Sequence, residues 1–174
     1  TKTIIDQVEV MKNLVNEFSN FARMPAIQPE PNNLNVLIRE ALTLYQEGHP
    51  GVAFAFLPDD SLPVLTIDRD QIKRVIINIL ENSVAAMDER GRIEIRTVFD
   101  RELMLASVSI SDDGPGILPE DKPRLFEPYF STKKTGTGLG LAIVNSIVTD
   151  HNGFVRVRDN QPRGACFVVE LPAG

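Results

Sequence analysis

A carboxylate followed at once by two glycines around a proline occurs at Asp112-Asp113-Gly114-Pro115-Gly116-Ile117. The alternating apolar run from Leu105 to Ile110 leads into it and predicts a strand. Neither strand nor helix can continue through these residues, and the glycines let the backbone lie close against a flat ligand. Gly136-Thr137-Gly138-Leu139-Gly140 comes later and opens the apolar helical run Leu139, Leu141, Ala142, Val144. Its N–H groups then fall at a helix N-terminus, where anionic groups bind. A base-facing loop and a phosphate-facing loop in this order predict a nucleotide site.

The spacing also predicts a helix from Asp68 to Met87, with Asp68 as N-cap and Gln71 three residues on in a capping-box pattern. Its buried stripe is Ile72, Val75, Ile76, Ile79, Leu80, Ser83 and Met87. Asn78 and Asn82 lie four apart at the margin of that stripe, one turn above each other, with Glu81 and Ala85 just outside. Asparagine is a mediocre helix former. A polar site built on a helix would need this pair, and two solvated border residues would show the same spacing. Between Ile117 and Thr135 lies a long irregular segment, the pattern of a lid or binding loop. It carries Phe126, Tyr129 and Phe130, which must pack when it closes, and Lys133 and Lys134 among hydroxyls that suit phosphate.

The elements that must position these residues follow from periodicity. Ile4, Val8, Met11, Val15, Phe18 and Ala22 make a heptad seam over residues 1–24, ended by Met24-Pro25. The helix packs either on its own domain or on a partner helix, and a pattern already running at Thr1 predicts that the chain is part of something longer. Residues 26–33, with Pro29 and Pro31, predict a stiff linker; a second amphipathic helix spans about 34–47, stopped by Gly48-His49-Pro50-Gly51. Val52 to Leu57 and Val64 to Ile67 predict short strands joined by a polar turn. Arg92 to Phe99 and Leu103 to Ile110 predict a hairpin, residues 138–151 a helix, and Phe154 to Val157 and Ala165 to Leu171 two last strands.

Composition narrows the function. The 174 residues are 43% hydrophobic, enough for one domain with a core and an appendage. A net charge of −6 argues against nonspecific nucleic-acid binding, which needs a basic footprint. Single Cys166 excludes an internal disulfide and a cysteine metal cluster and fits a reducing compartment. No run of these residues approaches the roughly 18 apolar residues that span a membrane, and none reads as a signal peptide.

On these motifs the chain resembles the catalytic, ATP-binding domain of sensor histidine kinases, within the GHKL ATPase superfamily. Asn78-Ile79-Leu80-Glu81-Asn82 is similar to the N box, Asp112 to Gly116 to the G1 box, Phe126 to Phe130 to the F box, and Gly136 to Gly140 to the G2 box. Glu17-Phe18-Ser19-Asn20-Phe21-Ala22-Arg23-Met24-Pro25 and Asn82 to Met87 look most like the nitrogen-regulation kinases of the NtrY and NtrB type. The resemblance implies an α+β two-layer sandwich, the Bergerat fold: a mixed five-stranded sheet with three helices on one face, preceded by a long N-terminal helix. Residues 1–25 would end the second helix of a dimerisation and histidine-phosphotransfer hairpin, 26–33 would be linker, and 34–174 the catalytic domain.

It further implies that Asp112 accepts a hydrogen bond from the adenine amine, with Gly114, Gly116 and Ile117 against the base and Phe130 and Thr137 in the nucleotide site. Asn82 and Asn78 would hold Mg²⁺, a hard cation suited to oxygen ligands. Lys133 and the backbone amides of Gly138, Leu139, Gly140 and Leu141 would neutralise phosphates, and Glu81 would activate the attacking histidine. The implied protein is a bacterial, cytoplasmic kinase module, its parent a homodimer and possible inner-membrane protein. Its partners would be its own phosphotransfer domain and a response-regulator receiver, with no nucleic acid. His49 and His151 read as structural or solvated, so the acceptor histidine is expected elsewhere. Ala85 departs from the family's basic residue near the phosphates, and Asn78 stands where the ATP-hydrolysing relatives carry glutamate. An ATP hydrolase of the superfamily, a noncatalytic nucleotide-sensing module and an anti-sigma serine kinase are the competing readings.

Overall fold

Alternation along the strands fixes which face of the sheet is buried. The structure, a computed structural model, describes residues 2–132 and 136–174. Its five-stranded sheet contains β2 (Val52–Leu57), β4 (Gly91–Asp100), β5 (Leu105–Asp112), β6 (Phe154–Asp159) and β7 (Ala165–Pro172), in the order β2-β4-β5-β7-β6. β2 runs parallel to β4 and every other pair is antiparallel. Parallel neighbours need a crossover, and helix α3 (Arg69–Ala86) lies in the one between them. In β5, Ala106, Val108 and Ile110 point to the buried face, while Ser107, Ser109 and Ser111 point away. Asp112 continues that phase, so strand parity carries a carboxylate to the core side.

Three helices cover this face: α2 (Leu34–Gln46), α3 and α4 (Gly140–Asp150). Each contributes an apolar stripe, with Leu37 and Ile38 from α2, Ile76 and Leu80 from α3, and Val144 and Ile147 from α4 all inaccessible. The expected mixed sheet with three helices on one face is therefore present, and α1 (Lys2–Ala22) is the long N-terminal helix before it. The seam of α1 does not pack on the chain's own core. Among the described residues Ile4, Val8, Met11, Val15 and Phe18 are exposed, whereas Phe21 and Met24 at its end pack against the core.

The structure departs from the sequence reading in three places. The linker contains a strand, β1 (Glu30–Asn32), antiparallel to β3 (Leu65–Ile67) in a separate two-stranded sheet. β2 and β3, the two short strands joined by a polar turn, consequently belong to different sheets. The capping box on α3 is half made: the Asp68 carboxylate accepts from the N–H groups of Asp70 and Gln71, both at 3.1 Å. The return bond comes instead from buried His151, whose Nε2 accepts from the Asp68 N–H at 2.9 Å while its Nδ1 donates to the Ile147 carbonyl at 2.7 Å. His151 thus ties the end of α4 to the start of α3. His49 stacks on Tyr45, with its Nδ1 3.0 Å from the Tyr45 carbonyl oxygen.

Candidate nucleotide site

Asp112 ends β5 with 2% of its surface exposed. Its Oδ1 accepts from the N–H of Gly114 at 3.0 Å and of Ala165 at 3.1 Å, and its carbonyl accepts from Asn160 Nδ2 at 2.8 Å. A buried carboxylate needs such donors, and here they fix its orientation. The next two carbonyls, of Asp113 and Gly114, accept from Arg163 Nε at 2.8 and 3.1 Å. Gly164 allows this clamp to close: its φ is +107°, and a Cβ there would fall 1.9 Å from the Asp112 carbonyl oxygen. Asn160, Arg163 and Gly164, from the turn between β6 and β7, and Ala165, the first residue of β7, are not among the site residues the sequence predicts. The loop also meets the end of α3, because a Cβ on Gly114 would sit 3.2 Å from Met87 Cγ. Gly116 has φ +81° and packs against the Gly164 carbonyl, and Ile117 is half-buried against the core.

The other half of the site lies along α3. A cavity of about 420 Å³ is lined on one side by Arg74, Asn78, Glu81, Asn82 and Ala85, all on one face of that helix. Across from them lie Phe130 of the predicted lid and Gly136, Thr137, Gly138, Gly140 and Leu141 at the start of α4. The asparagine pair thus sits in a cavity instead of in open solvent. Asn82 Nδ2 donates to the Asn78 carbonyl at 2.8 Å, and Asn78 Nδ2 is buried without a partner among the described residues. A Cβ on Gly140 would lie 3.7 Å from Asn82 Nδ2 and 3.9 Å from Asn78 Oδ1, so the glycine keeps the space between the motifs open. Glu81 is exposed at the rim, and its charge acts on Tyr45: burial first, then the Glu81 and Glu89 carboxylates, push the phenol up to about 12.

The predicted lid is built onto the start of α4. Tyr129 donates its N–H to the Gly138 carbonyl at 2.9 Å, and Gly138, at φ +72°, leaves no room for a Cβ, which would fall 2.5 Å from the Tyr129 carbonyl carbon. Tyr129 itself has φ +66°, and Arg124 lies 4.6 Å above the Phe130 ring. Thr137 donates its hydroxyl to the Glu17 carboxylate, and Phe18 stacks on Tyr129 with ring centroids 6.5 Å apart. The end of α1 therefore reaches the cavity, and Glu17 lines it. Leu139 is buried, and α4 begins at Gly140, leaving first-turn N–H groups that no helix carbonyl can take. Lys133 lies outside the described residues.

These motifs and this topology have counterparts among known proteins. The family model described as the histidine kinase-, DNA gyrase B-, and HSP90-like ATPase matches residues 67–174. The chain belongs to this ATPase family. Within it, the nitrogen regulation protein NtrY of Azorhizobium caulinodans is 37% identical over 99% of this chain and 23% of its own length. The chain thus spans about a quarter of that relative. Full-length ShkA in complex with AMPPNP superposes with a TM-score of 0.80 at 28% identity, over 92% of this chain and 35% of that one. Histidine kinase ThkA in complex with response regulator protein TrrA gives 0.82 at 28% identity, over 99% of this chain and 50% of that one.

Proposed function

We propose that this chain is the ATP-binding catalytic domain of a sensor histidine kinase, transferring the γ-phosphoryl of ATP to a histidine on a dimerisation domain. From there the group passes to an aspartate of a response regulator. The observation that carries this reading is the meeting of Asn78, Glu81 and Asn82 with Phe130 and the Gly136-to-Leu141 turn in one cavity. A clamped acidic floor at Asp112 ends beside the same helix. The likeness to NtrY and to two solved histidine kinases supports it. On this reading residues 1–25 belong to the second helix of a phosphotransfer hairpin, 26–33 form the linker and 34–174 the catalytic domain. The parent acts as a bacterial homodimer with its kinase module in the cytoplasm; no described helix is long and apolar enough to cross a membrane.

Asp112 accepts from the adenine amine, because its Oδ1 is already committed to backbone donors and its orientation is set. Gly114, Gly116 and Ile117 lie against the base. Asn78 and Asn82 offer neutral, hard amide oxygens that suit Mg²⁺ bound jointly with phosphates, and no described cluster of three acidic or histidine side chains competes for it. When bound, the ion neutralises charge on the phosphates. The amides of Gly138, Leu139, Gly140 and Leu141, with Thr137 and Lys133, hold the phosphate chain, and Phe130 closes over it. Glu81, at the rim, takes the proton from the attacking imidazole. Asn78 in place of a water-activating glutamate favours phosphotransfer over hydrolysis. Neither histidine of this chain serves as the acceptor on this reading: His151 is buried between two helices, and His49 is stacked on Tyr45 with its Nδ1 at the Tyr45 carbonyl.

The test is transfer in trans: γ-labelled ATP, Mg²⁺, this chain and a histidine-bearing NtrY-type hairpin. An acid-labile, base-stable label on the hairpin is expected; phosphate released without labelled hairpin would establish the hydrolase reading instead.

A further inference from the structure

The expected basic contact to the phosphates is absent at Ala85, yet the cavity contains a guanidinium. Arg74 lines it from α3, one turn before Asn78 and two before Asn82, on the face that also bears Glu81 and Ala85. We propose that Arg74 binds the terminal phosphate of the nucleotide, an assignment that rests on the ATP site described above.

Position along the helix decides which phosphate it meets. The Asp112–Gly116 floor touches α3 at its C-terminal end, through Ala86 and Met87. Asn82 and Asn78 follow toward the N-terminus, facing Gly140. Arg74 lies one further turn away, about 6 Å along the axis. A nucleotide with its base on the floor and its phosphates over the asparagines directs its last phosphate toward Arg74. Arginine suits this task because its planar fork matches phosphate oxygens.

Among the described residues, the cations beside Arg74 on α3 are already paired and Arg74 is not. Its neighbours Arg69 and Lys73 both pair with Glu40, outside the cavity. Arg74 is half-buried and has no hydrogen-bond or ion-pair partner among the described residues. It is the one cation among the described residues lining the cavity, whose carboxylates are Glu17 and Glu81. Glu17 is committed to the Thr137 hydroxyl. A half-desolvated guanidinium without a partner loses hydration and gains nothing from the folded chain, so a ligand phosphate supplies what the fold omits.

Titration calorimetry with ATP, ADP and AMP, each with Mg²⁺, separates this role from a structural one. Arg74→Gln is expected to weaken ATP roughly 10- to 100-fold, ADP less, and AMP not at all. Arg74→Lys, which keeps the charge without the fork, should recover part of the ATP affinity. Equal weakening of all three nucleotides, or ATP binding equal to wild type, overturns the assignment while leaving the site intact. Failure of the wild-type chain to bind any of the three would remove the ATP site itself, and this assignment with it.

Discussion

The two halves of the nucleotide site are built differently. The base side is a strand end whose carboxylate is buried, fixed by two backbone N–H groups and locked from behind by the β6–β7 turn. All its partners belong to the sheet and its turns. On the phosphate side, side chains converge from α3, the lid, the start of α4 and the end of α1, with Asn78 Nδ2 and Arg74 left without partners among the described residues. The Asp112 side has its hydrogen bonds made within the chain, whereas the α3 side, on the proposed reading, is completed by the nucleotide. On that reading, the preset part selects the nucleotide and the open part receives its phosphates.

Glycine substitutions break this contrast most severely. Gly164→Ala forces a Cβ against the Asp112 carbonyl at a positive φ, at a buried position of the β6–β7 turn. It should cost about 3 kcal/mol or more of stability as well as ATP binding, read by thermal melting and calorimetry. Gly138→Ala meets a comparable clash with the Tyr129 backbone, but in a peripheral segment. It should weaken ATP at least about 10-fold with a stability loss of about 1 kcal/mol or less. Equal melting losses in the two variants would contradict the contrast.

The smallest effect lies in pH. Because the Tyr45 pKa is raised in the folded state, from 10.0 to about 12, the neutral phenol is the form the fold favours. Its contribution is complete below pH 10 and disappears as pH rises toward about 12, so unfolding free energy should fall across that window. Spectrophotometric titration of Glu81→Gln should show the Tyr45 pKa moving back toward 10, because one of the charges that raises it is gone.

Much of the site was legible because its residues violate local expectation. Asn78 and Asn82 put amides at the margin of a helix stripe, and Asp112 sits where a strand should remain apolar; such conflicts single out the residues proposed for the site. The sheet and its helices follow from periods of two and 3.6. What stayed hidden depends on partners distant in sequence or on groups every residue carries. Ala165 contributes only a backbone N–H, to a carboxylate 53 residues away, so no side chain announces it. Arg74, beside Lys73, has the pattern of a solvated face, and only the lid and α4 turn that face into a cavity wall. β1 is three residues long with a proline at its centre, too short to show a period. His151 replaces the return arm of the capping box from 83 residues away.

On the proposed reading, the Asp112 floor chooses adenine independently of the phosphate side. Calorimetric titration of wild type and Asp112→Asn with Mg-ATP and Mg-GTP tests it directly. An asparagine can keep its oxygen toward Gly114 and Ala165, but turns a donor toward the adenine amine. Wild type should bind ATP tightly and GTP weakly, with ATP weakened roughly 10- to 100-fold in the variant and its melting temperature nearly unchanged. Equal ATP affinity in the two proteins, or wild type that binds ATP and GTP alike, would contradict it.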